Sequence, residues 1–353
     1  MIKNSSFALI VLNWYEKHKR ELPWRETLDP YSIWLSEIIL QQTRIDQGMA
    51  YYLKFIDSYP TVHDFAAASE DEILKMWQGL GYYSRARNMH STANSIVREH
   101  QGKFPADYAS LLRLKGVGEY TASAIASIAF NLPHATVDGN VFRLLSRVFG
   151  ISTPIDTGIG KKEFTKLANE LIDERQPGQF NQALMELGAI QCTPKKPDCE
   201  NCPLNNVCVA WKNDLTESLP VKKGKTTIRK RYFSYLVIEH GQYTYLNKRT
   251  ENDIWKNLYE FPVAETTEKS DLFSTLNEHQ PFFPPETEIQ IKKETYWQKQ
   301  VLSHQHIFYR FIYLKLAGKI NIPSNLIRVN KKDIFNFAVP KPIEKELEQN
   351  NWL

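Results

Sequence analysis

The sequence has little cysteine, no long apolar run and no strong excess of either charge. Its 353 residues include four cysteines, all lying between positions 192 and 208. No apolar stretch is long enough to span a bilayer, which argues against an integral membrane protein. The N-terminus, Met1-Ile2-Lys3-Asn4-Ser5-Ser6, lacks the long apolar core of a secretory signal. The expectation is a soluble cytoplasmic protein, nucleoid-associated if bacterial. Without an exported context the cysteines read as metal ligands rather than disulfides. A net charge of +4 permits a polyanionic partner without demanding one. There is no internal repeat and no low-complexity tract. What is present is a globular composition, 42% hydrophobic and 24% charged, on a chain long enough for two or three domains.

The stretch from Leu114 to Asn140 organises the chain. Gly116 and Gly118 flank Val117 at the mouth of a helix. Glycine admits positive φ and close approach of another backbone. Unpaired amides beside a helix N-terminus suit a phosphate. After an apolar helical run a lone carboxylate, Asp138, opens the next helix. A phosphate clamp followed by a placed carboxylate suggests acid-base or ionic chemistry on nucleic acid. Taken alone, the same residues also describe a glycine turn between two helices with a capping Asp.

In chain order, Phe7, Ile10, Val11 and Trp14 recur at helical spacing over 5–20, with Ser5 or Ser6 as cap. Leu22-Pro23-Trp24-Arg25 ends that helix in a loop. Trp24 and Arg25 either stack on a base or pack against their own domain. Ser32 opens a helix running to Thr43, in which Glu37 shares a side with Ile33, Trp34, Ile38 and Gln41. A carboxylate among apolar neighbours is costly unless paired or protonated, so its pKa should rise, as a general acid requires. The alternative is a Glu paired with a nearby Arg. Ser69 and Glu72 form a capping box ahead of Ile73–Trp77. Gly79-Leu80-Gly81-Tyr82-Tyr83 is a tight loop whose tyrosine either wedges between bases or folds onto the core. Ser84 starts a helix carrying Arg85, Arg87 and Arg98, and a further helix over 141–149 carries Arg143 and Arg147 on one face.

Cys192, Cys199, Cys202 and Cys208 are separated by six, two and five residues. Thiolates this close usually share a metal. Four can hold a tetrahedral zinc or an iron–sulfur cluster, and spacing alone does not choose. Lys195 and Lys196, in the first gap, either meet phosphate or are solvated loop charges. A polar, basic linker follows over 213–230, after which the chain reads as strands. Tyr232–Ile238 turns at His240-Gly241 into Tyr243–Leu246, and a further strand covers His306–Leu316. Two architectures joined by a linker mean two modules.

Glu37 within Ser-Glu-Ile-Ile-Leu-Gln-Gln-Thr, the Gly116-Val117-Gly118 hairpin, Asp138 within Val-Asp-Gly-Asn-Val and the cysteine spacing occur together and in this order. In this combination the chain resembles the helix-hairpin-helix base-excision glycosylases, and among them the MutY-type adenine glycosylases. The resemblance spans nearly the whole chain and is strongest over 20–212. It implies a mainly α glycosylase part followed by an α+β Nudix-like C-terminal domain. The implied boundaries are 1–28 plus 137–212 for a helical iron–sulfur domain, 29–136 for a six-helix domain, 213–230 for the linker and 231–353 for a Nudix-like domain that recognises 8-oxoguanine. That last domain lacks a carboxylate-rich catalytic helix, so no pyrophosphatase activity is expected.

The resemblance further implies a [4Fe–4S] cluster on the four cysteines, in place of zinc. It implies a monomer acting on duplex DNA with adenine opposite 8-oxoguanine or guanine. Glu37 and Asp138 would be catalytic, with Tyr120 and Asn140 in support. Gln42, Tyr82 and the hairpin Gly116, Val117 and Gly118 would contact DNA. Trp24, Arg25 and Gln182 would line the adenine pocket, and Ser303 and His304 would read 8-oxoguanine. The endonuclease III branch carries a nucleophilic lysine where this chain has Tyr120, differs after the Asp, and lacks the C-terminal module. Two departures from the usual adenine glycosylase pattern stand out: Lys115 where proline is common, and Leu302 in place of phenylalanine before Ser303. A reading from another class is a non-catalytic DNA-binding protein with a structural metal. The two differ in whether Glu37 and Asp138 converge on one cleft.

Overall fold

The computed structural model describes residues 4–224, 227–271, 275, 288–317, 323–350 and 352. Contacts divide the chain into two compact units, 1–67 with 88–224, and 68–87 with 225–353. The two helical segments expected to form separate domains thus group together. Residues 68–87 group with the C-terminal part of the chain.

The first unit is helical. Its helices begin with α1 (Asn4–His18), α2 (Pro30–Ile39), α3 (Ile45–Ser58) and α4 (Val62–Ala67). After α5 (Glu70–Met76), which belongs to the second unit, come α6 (Ser84–His100), α7 (Tyr108–Arg113), α8 (Glu119–Phe130) and α9 (Gly139–Phe149). Then follow α10 (Gly158–Leu171), α11 (Pro177–Glu186) and the short α12 (Val209–Lys212). The cap of α2 is Asp29 rather than Ser32: its carboxylate accepts from the amides of Tyr31 and Ser32, and Pro30 takes the first turn. The helix stops at Ile39, short of Thr43, and Gln42 beyond it has φ +58°.

α8 is buried over Thr121–Ile128, and its small residues let α2, α7 and α11 pack against it. Gly178 of α11 sits so close that a Cβ there would lie 2.7 Å from the Ile128 Cα and the Ser127 carbonyl oxygen. This approach brings the cleft-facing side of α11 alongside α8. α11 runs directly into a π-helical turn, Leu187–Gln191. Gly188 in that turn would, with a Cβ, meet the Asn140 carbonyl at 2.7 Å. The core beneath joins Phe7 and Val11 of α1, Leu144 and Leu145 of α9, Phe164 of α10 and Phe180 of α11.

The second unit is α+β. β1 (Arg229–Glu239) lies parallel to β7 (Gln305–Ala317). β4 (Val263–Thr266) flanks β1, while β5 (Glu288–Glu294) and β6 (Gln298–Val301) pair with opposite ends of β7. A second sheet has the order β3 (Tyr259–Glu260), β2 (Tyr243–Lys248), β8 (Leu326–Asn330). The turn after β1 is where the sequence placed it, with an isolated bridge from His240 to Tyr243. Beyond it β1 and β2 part into different sheets. Both faces of β1 are buried. Phe233, Tyr235 and Val237 face one core, and Leu236 and Ile238 face the other, as strand alternation requires. α13 (Lys341–Gln349) closes the first of these cores with Ile343 and Leu347.

The capping box of α5 is present, with Ser69 and Glu72 bonded reciprocally. The segment is tied into its unit by side chains. Asp71 accepts from Lys248 at 2.7 Å and from the Tyr259 hydroxyl at 2.8 Å. Gln78 donates to Glu344 at 2.8 Å, and Arg87 to the Lys256 carbonyl at 2.8 Å.

Candidate active site

The first unit holds a cleft of about 740 Å³, lined by α2, the glycine hairpin, the starts of α8 and α9, and the cleft-facing side of α11. Glu37 and Asp138 both line it. Their surroundings differ. Glu37 is in mid-helix, where no backbone amide is free to bond it. Its Oε2 accepts one bond, from the Tyr120 hydroxyl at 2.7 Å. Burial pushes its carboxyl up to about 7, with Tyr120 pulling it back and the Asp138 charge adding to the rise. No ion pair with an arginine forms at Glu37; Arg25 acts on it only as a nearby charge.

Asp138 caps α9. Its Oδ1 accepts from the amides of Asn140 at 2.9 Å and Val141 at 2.8 Å, and its Oδ2 from the Asn140 side chain at 2.7 Å. Burial holds this carboxyl above its ordinary range, while the three donors and the helix N-terminus pull it back towards the anion. Asp138 thus has three donors for its anion where Glu37 has one. Tyr120 also donates to the Met185 sulfur at 3.2 Å, and burial drives its own pKa far upward, so it remains a hydroxyl donor.

The other expected pocket residues also line the cleft. Trp24 is buried with its ring edge on Tyr52, 5.1 Å between centroids, rather than exposed for stacking. Arg25, Gln182, Gln42, Gly116 and Gly118 are there as well. Gly116 has φ +78°, and a Cβ on it would meet Asn88 at 2.7 Å. Around Gly118 the space a Cβ would take is empty. Val117 departs from expectation. Its side chain is buried and its amide bonds the Leu114 carbonyl at 3.1 Å, so it anchors the hairpin from below.

Gln42 and Tyr82 share a feature that no motif revealed: both have positive φ, at 58° and 46°. Such backbone is unfavourable for these residue types and tends to mark functional turns. Tyr82, in the second unit, is 45% exposed, and its hydroxyl is hydrogen-bonded to Ser303 Oγ. Ser303 and His304 form the exposed turn between β6 and β7. Leu302 packs into the adjoining core.

Sequence reasoning missed Glu186. It is 1% exposed at the end of α11 and bonds Arg20 through both oxygens, at 2.8 and 2.6 Å, and Arg25 at 2.8 Å. Burial alone would raise its carboxyl; the two arginines outweigh that and hold it at about 2. The available signal was its place four residues after Gln182, on the same helical face. Arg143 was noted only for its charge. It donates to Asn140 Oδ1 at 3.0 Å, the Gly188 carbonyl at 2.6 Å and the Cys192 carbonyl at 2.7 Å.

All four cysteines line a small cavity of their own, together with Arg147 and Trp211. None is in a disulfide. Arg147 donates to Cys192 Sγ at 3.4 Å. Burial pushes the Cys202 thiol up to about 11 and raises Cys199 and Cys208 as well. Thiols so placed ionise only beside compensating positive charge, which bound metal supplies. The donor set therefore fits a metal cofactor.

Residues 35–173 match the HhH-GPD superfamily of base excision DNA repair proteins, 192–208 the iron-sulfur binding domain of endonuclease III, and 234–349 a NUDIX domain. An adenine DNA glycosylase of Buchnera aphidicola (Acyrthosiphon pisum) is 32% identical over 97% of this chain and 97% of its own. This chain belongs to the adenine DNA glycosylase family. The Homo sapiens adenine DNA glycosylase is 42% identical over 61% of this chain and 41% of its own length. Among solved structures, a thermostable thymine-DNA glycosylase aligns at TM-score 0.56 and 31% identity, covering 60% of this chain and 97% of that one. Endonuclease III from a DNA complex aligns at TM-score 0.52 and 21% identity over 61% of this chain and 99% of that one, a likeness of fold. The four cysteines are thus an iron–sulfur site.

Proposed function

We propose that the protein binds duplex DNA as a monomer and hydrolyses the N-glycosidic bond of adenine mispaired with 8-oxoguanine or guanine. The observation carrying this reading is the convergence of Glu37 and Asp138 on one cleft, Glu37 with one hydrogen-bond donor and a carboxyl raised to about 7, Asp138 with three donors for its anion. That pairing is the logic of glycoside hydrolysis. A binding module would have no need of it.

Adenine leaves the stack at a cost of a few kcal/mol, roughly, and less when mispaired. Gln42 and Tyr82 intrude into the distorted duplex. The amides of Gly116 and Gly118 hold backbone phosphate, and the open space at Gly118 leaves room for it. Glu37 protonates N7 so that a neutral base departs. Asp138, ionised, stabilises the oxocarbenium-like sugar. Tyr120 holds the Glu37 carboxyl in position, and Asn140 holds that of Asp138. Trp24, Arg25 and Gln182 enclose the base. Ser303 and His304, on an exposed turn bonded to Tyr82, read 8-oxoguanine.

Cys192, Cys199, Cys202 and Cys208, which line a common cavity, would hold a [4Fe–4S] cluster. When bound it supplies cross-linking of the 192–208 segment, not acid-base chemistry. Arg143 and Arg147 tie that segment to α9, and so to Asp138.

The test is single-turnover base release from duplexes with adenine opposite 8-oxoguanine, guanine or thymine, with and without alkali, beside a thymine–guanine duplex. Adenine release strongest from the first and absent opposite thymine is expected, with strand breaks only after alkali. Release of thymine or oxidised pyrimidines instead would place the chain with other branches of the superfamily. Tight mismatch binding without release would favour the binding module.

A further inference from the structure

A second cavity of about 310 Å³ lies in the first unit, against the first. The two share four wall residues: Arg20, Arg25, Ile128 and Gln182. Within this partition Arg25 is pinned between Glu186 at 2.8 Å and the Arg20 carbonyl at 3.0 Å. Gln182 is held from the far side, its Oε1 accepting the Tyr15 hydroxyl at 2.7 Å. Tyr15 lines only the second cavity; Glu37 and Asp138 line only the first.

We propose that the second cavity is an exit site for the freed base, a neutral purine, with Gln182 as its gate. This rests on the glycosylase reading above. Once the glycosidic bond breaks, the abasic strand still fills the mouth by which the nucleotide entered. The base lies inside it, against the wall that the cavities share. The chemistry of the second cavity suits such a ligand. Asn131, Gln176, Gln179 and Gln182 bring four carboxamides to it, and a carboxamide is the side-chain group that pairs with an adenine edge through two bonds. Tyr15 is buried in the wall, its ring covered by the Arg25 guanidinium at 5.5 Å and its hydroxyl holding Gln182. The charges are nearly balanced. Lys19, Arg20 and Arg25 face Glu21 and Glu26, and two of those cations are already paired with Glu186. The site therefore has little to hold a phosphate. Its volume falls at the small end of the range for ligand pockets, about 300–1,000 Å³.

The experiment uses the full chain and an adenine–8-oxoguanine duplex labelled in the adenine. Chemical quench reports cleavage, and rapid filtration of the protein–DNA complex reports base still held. Gln179→Trp obstructs the second cavity; Gln179→Ala leaves it open. Both should cleave within about twofold of the unaltered protein, while Gln179→Trp alone slows departure of the base by about tenfold or more. Unaltered departure from Gln179→Trp with normal cleavage would overturn the exit site. Loss of cleavage in the unaltered protein would instead overturn the glycosylase reading. Should Gln179→Trp misfold, free adenine titrated into the unaltered protein on an abasic duplex decides: nuclear Overhauser contacts from adenine to residues lining only the second cavity, such as Gln179 and Asn131, support the site, and their absence refutes it.

Discussion

Glu37→Gln should cut base release steeply and, above acidic pH, stabilise the free protein. The carboxyl titrates near 7 in the folded chain against an ordinary value of 4.5. Below the lower value both states carry the proton and stability is indifferent to this group. Between the two, the folded state binds a proton that the unfolded state has released, so stability falls as pH rises. Above the higher value the whole penalty is present. At about 1.36 kcal/mol per unit, it amounts to at most about 3 kcal/mol, since solvent reaches the cleft. Glutamine has no charge to bury, and its Oε1 still accepts from Tyr120. The stability of Glu37→Gln relative to the parent should therefore rise by about 2–3 kcal/mol between pH 4.5 and pH 8. Comparing the two pH values cancels any constant effect of the amide. Chemical denaturation at each pH without DNA measures it, and single-turnover release at neutral pH should fall by about 10²–10⁴-fold. A stability difference independent of pH would show that Glu37 is ionised at neutrality in the free protein, and would refute its assignment as the acid.

Tyr120→Phe removes the one bond to the Glu37 anion, so the alkaline limb of the pH–rate profile should move up by about one pH unit while the maximum falls, as a pH series of single-turnover rates would show. Asp138→Asn should cut base release by about 10²-fold or more, with mismatch affinity by gel shift largely kept. Cys202→Ser should lower iron content and DNA affinity together; iron assay and visible absorption would show whether either survives. Glu186→Ala leaves Arg20 and Arg25 without their buried partner and should cost about 3 kcal/mol at neutral pH by denaturant titration. Because the Glu186 carboxyl is held at about 2, that difference should shrink as pH falls from the ordinary carboxyl range towards 2.

Local chemistry made much of the fold legible. The capping box at Ser69, the glycine hairpin, the cysteine cluster and the strand starting near Tyr232 each depend on neighbours a few residues away. The failures involve long-range partners. Trp24 left stacking on a base and packing in its own domain both open, and Tyr52 decides for packing. Glu186 looks like an ordinary helical glutamate until Arg20 and Arg25, more than 160 positions away, converge on it. The α2 cap was misplaced by three residues because Asp29 and Ser32 both cap well, and Pro30 chose between them. The separation of β1 and β2 into two sheets could not be read from a turn signal. It depends on β7 taking the parallel position beside β1. Likewise, the grouping of 68–87 with the C-terminal unit follows from Asp71, Gln78 and Arg87 finding partners there.

The opposed states of the two carboxylates follow from where each sits along its helix. Glu37 is the eighth residue of a ten-residue helix; there the neighbouring amides are already bonded within the helix, and only a side chain can reach its carboxylate. One does, the Tyr120 hydroxyl, and a single donor does not offset burial. Asp138 stands at the cap of α9, where amides are unpaired, and it collects three donors with the helix dipole behind them. Moving Asp138 one turn into its helix would take those amides away from it. The proposed acid is therefore placed where the backbone can give it nothing, and the proposed anion where the backbone gives most. Asn140 and Val141 belong to this arrangement, because theirs are the amides that Asp138 accepts from. On this argument Asn140→Ala, which keeps the amide and removes the side-chain donor, should raise the acidic limb of the pH–rate profile by less than one unit and leave the alkaline limb, set by Glu37, in place. Movement of the alkaline limb alone would mean that the two carboxyls had been assigned the wrong way round.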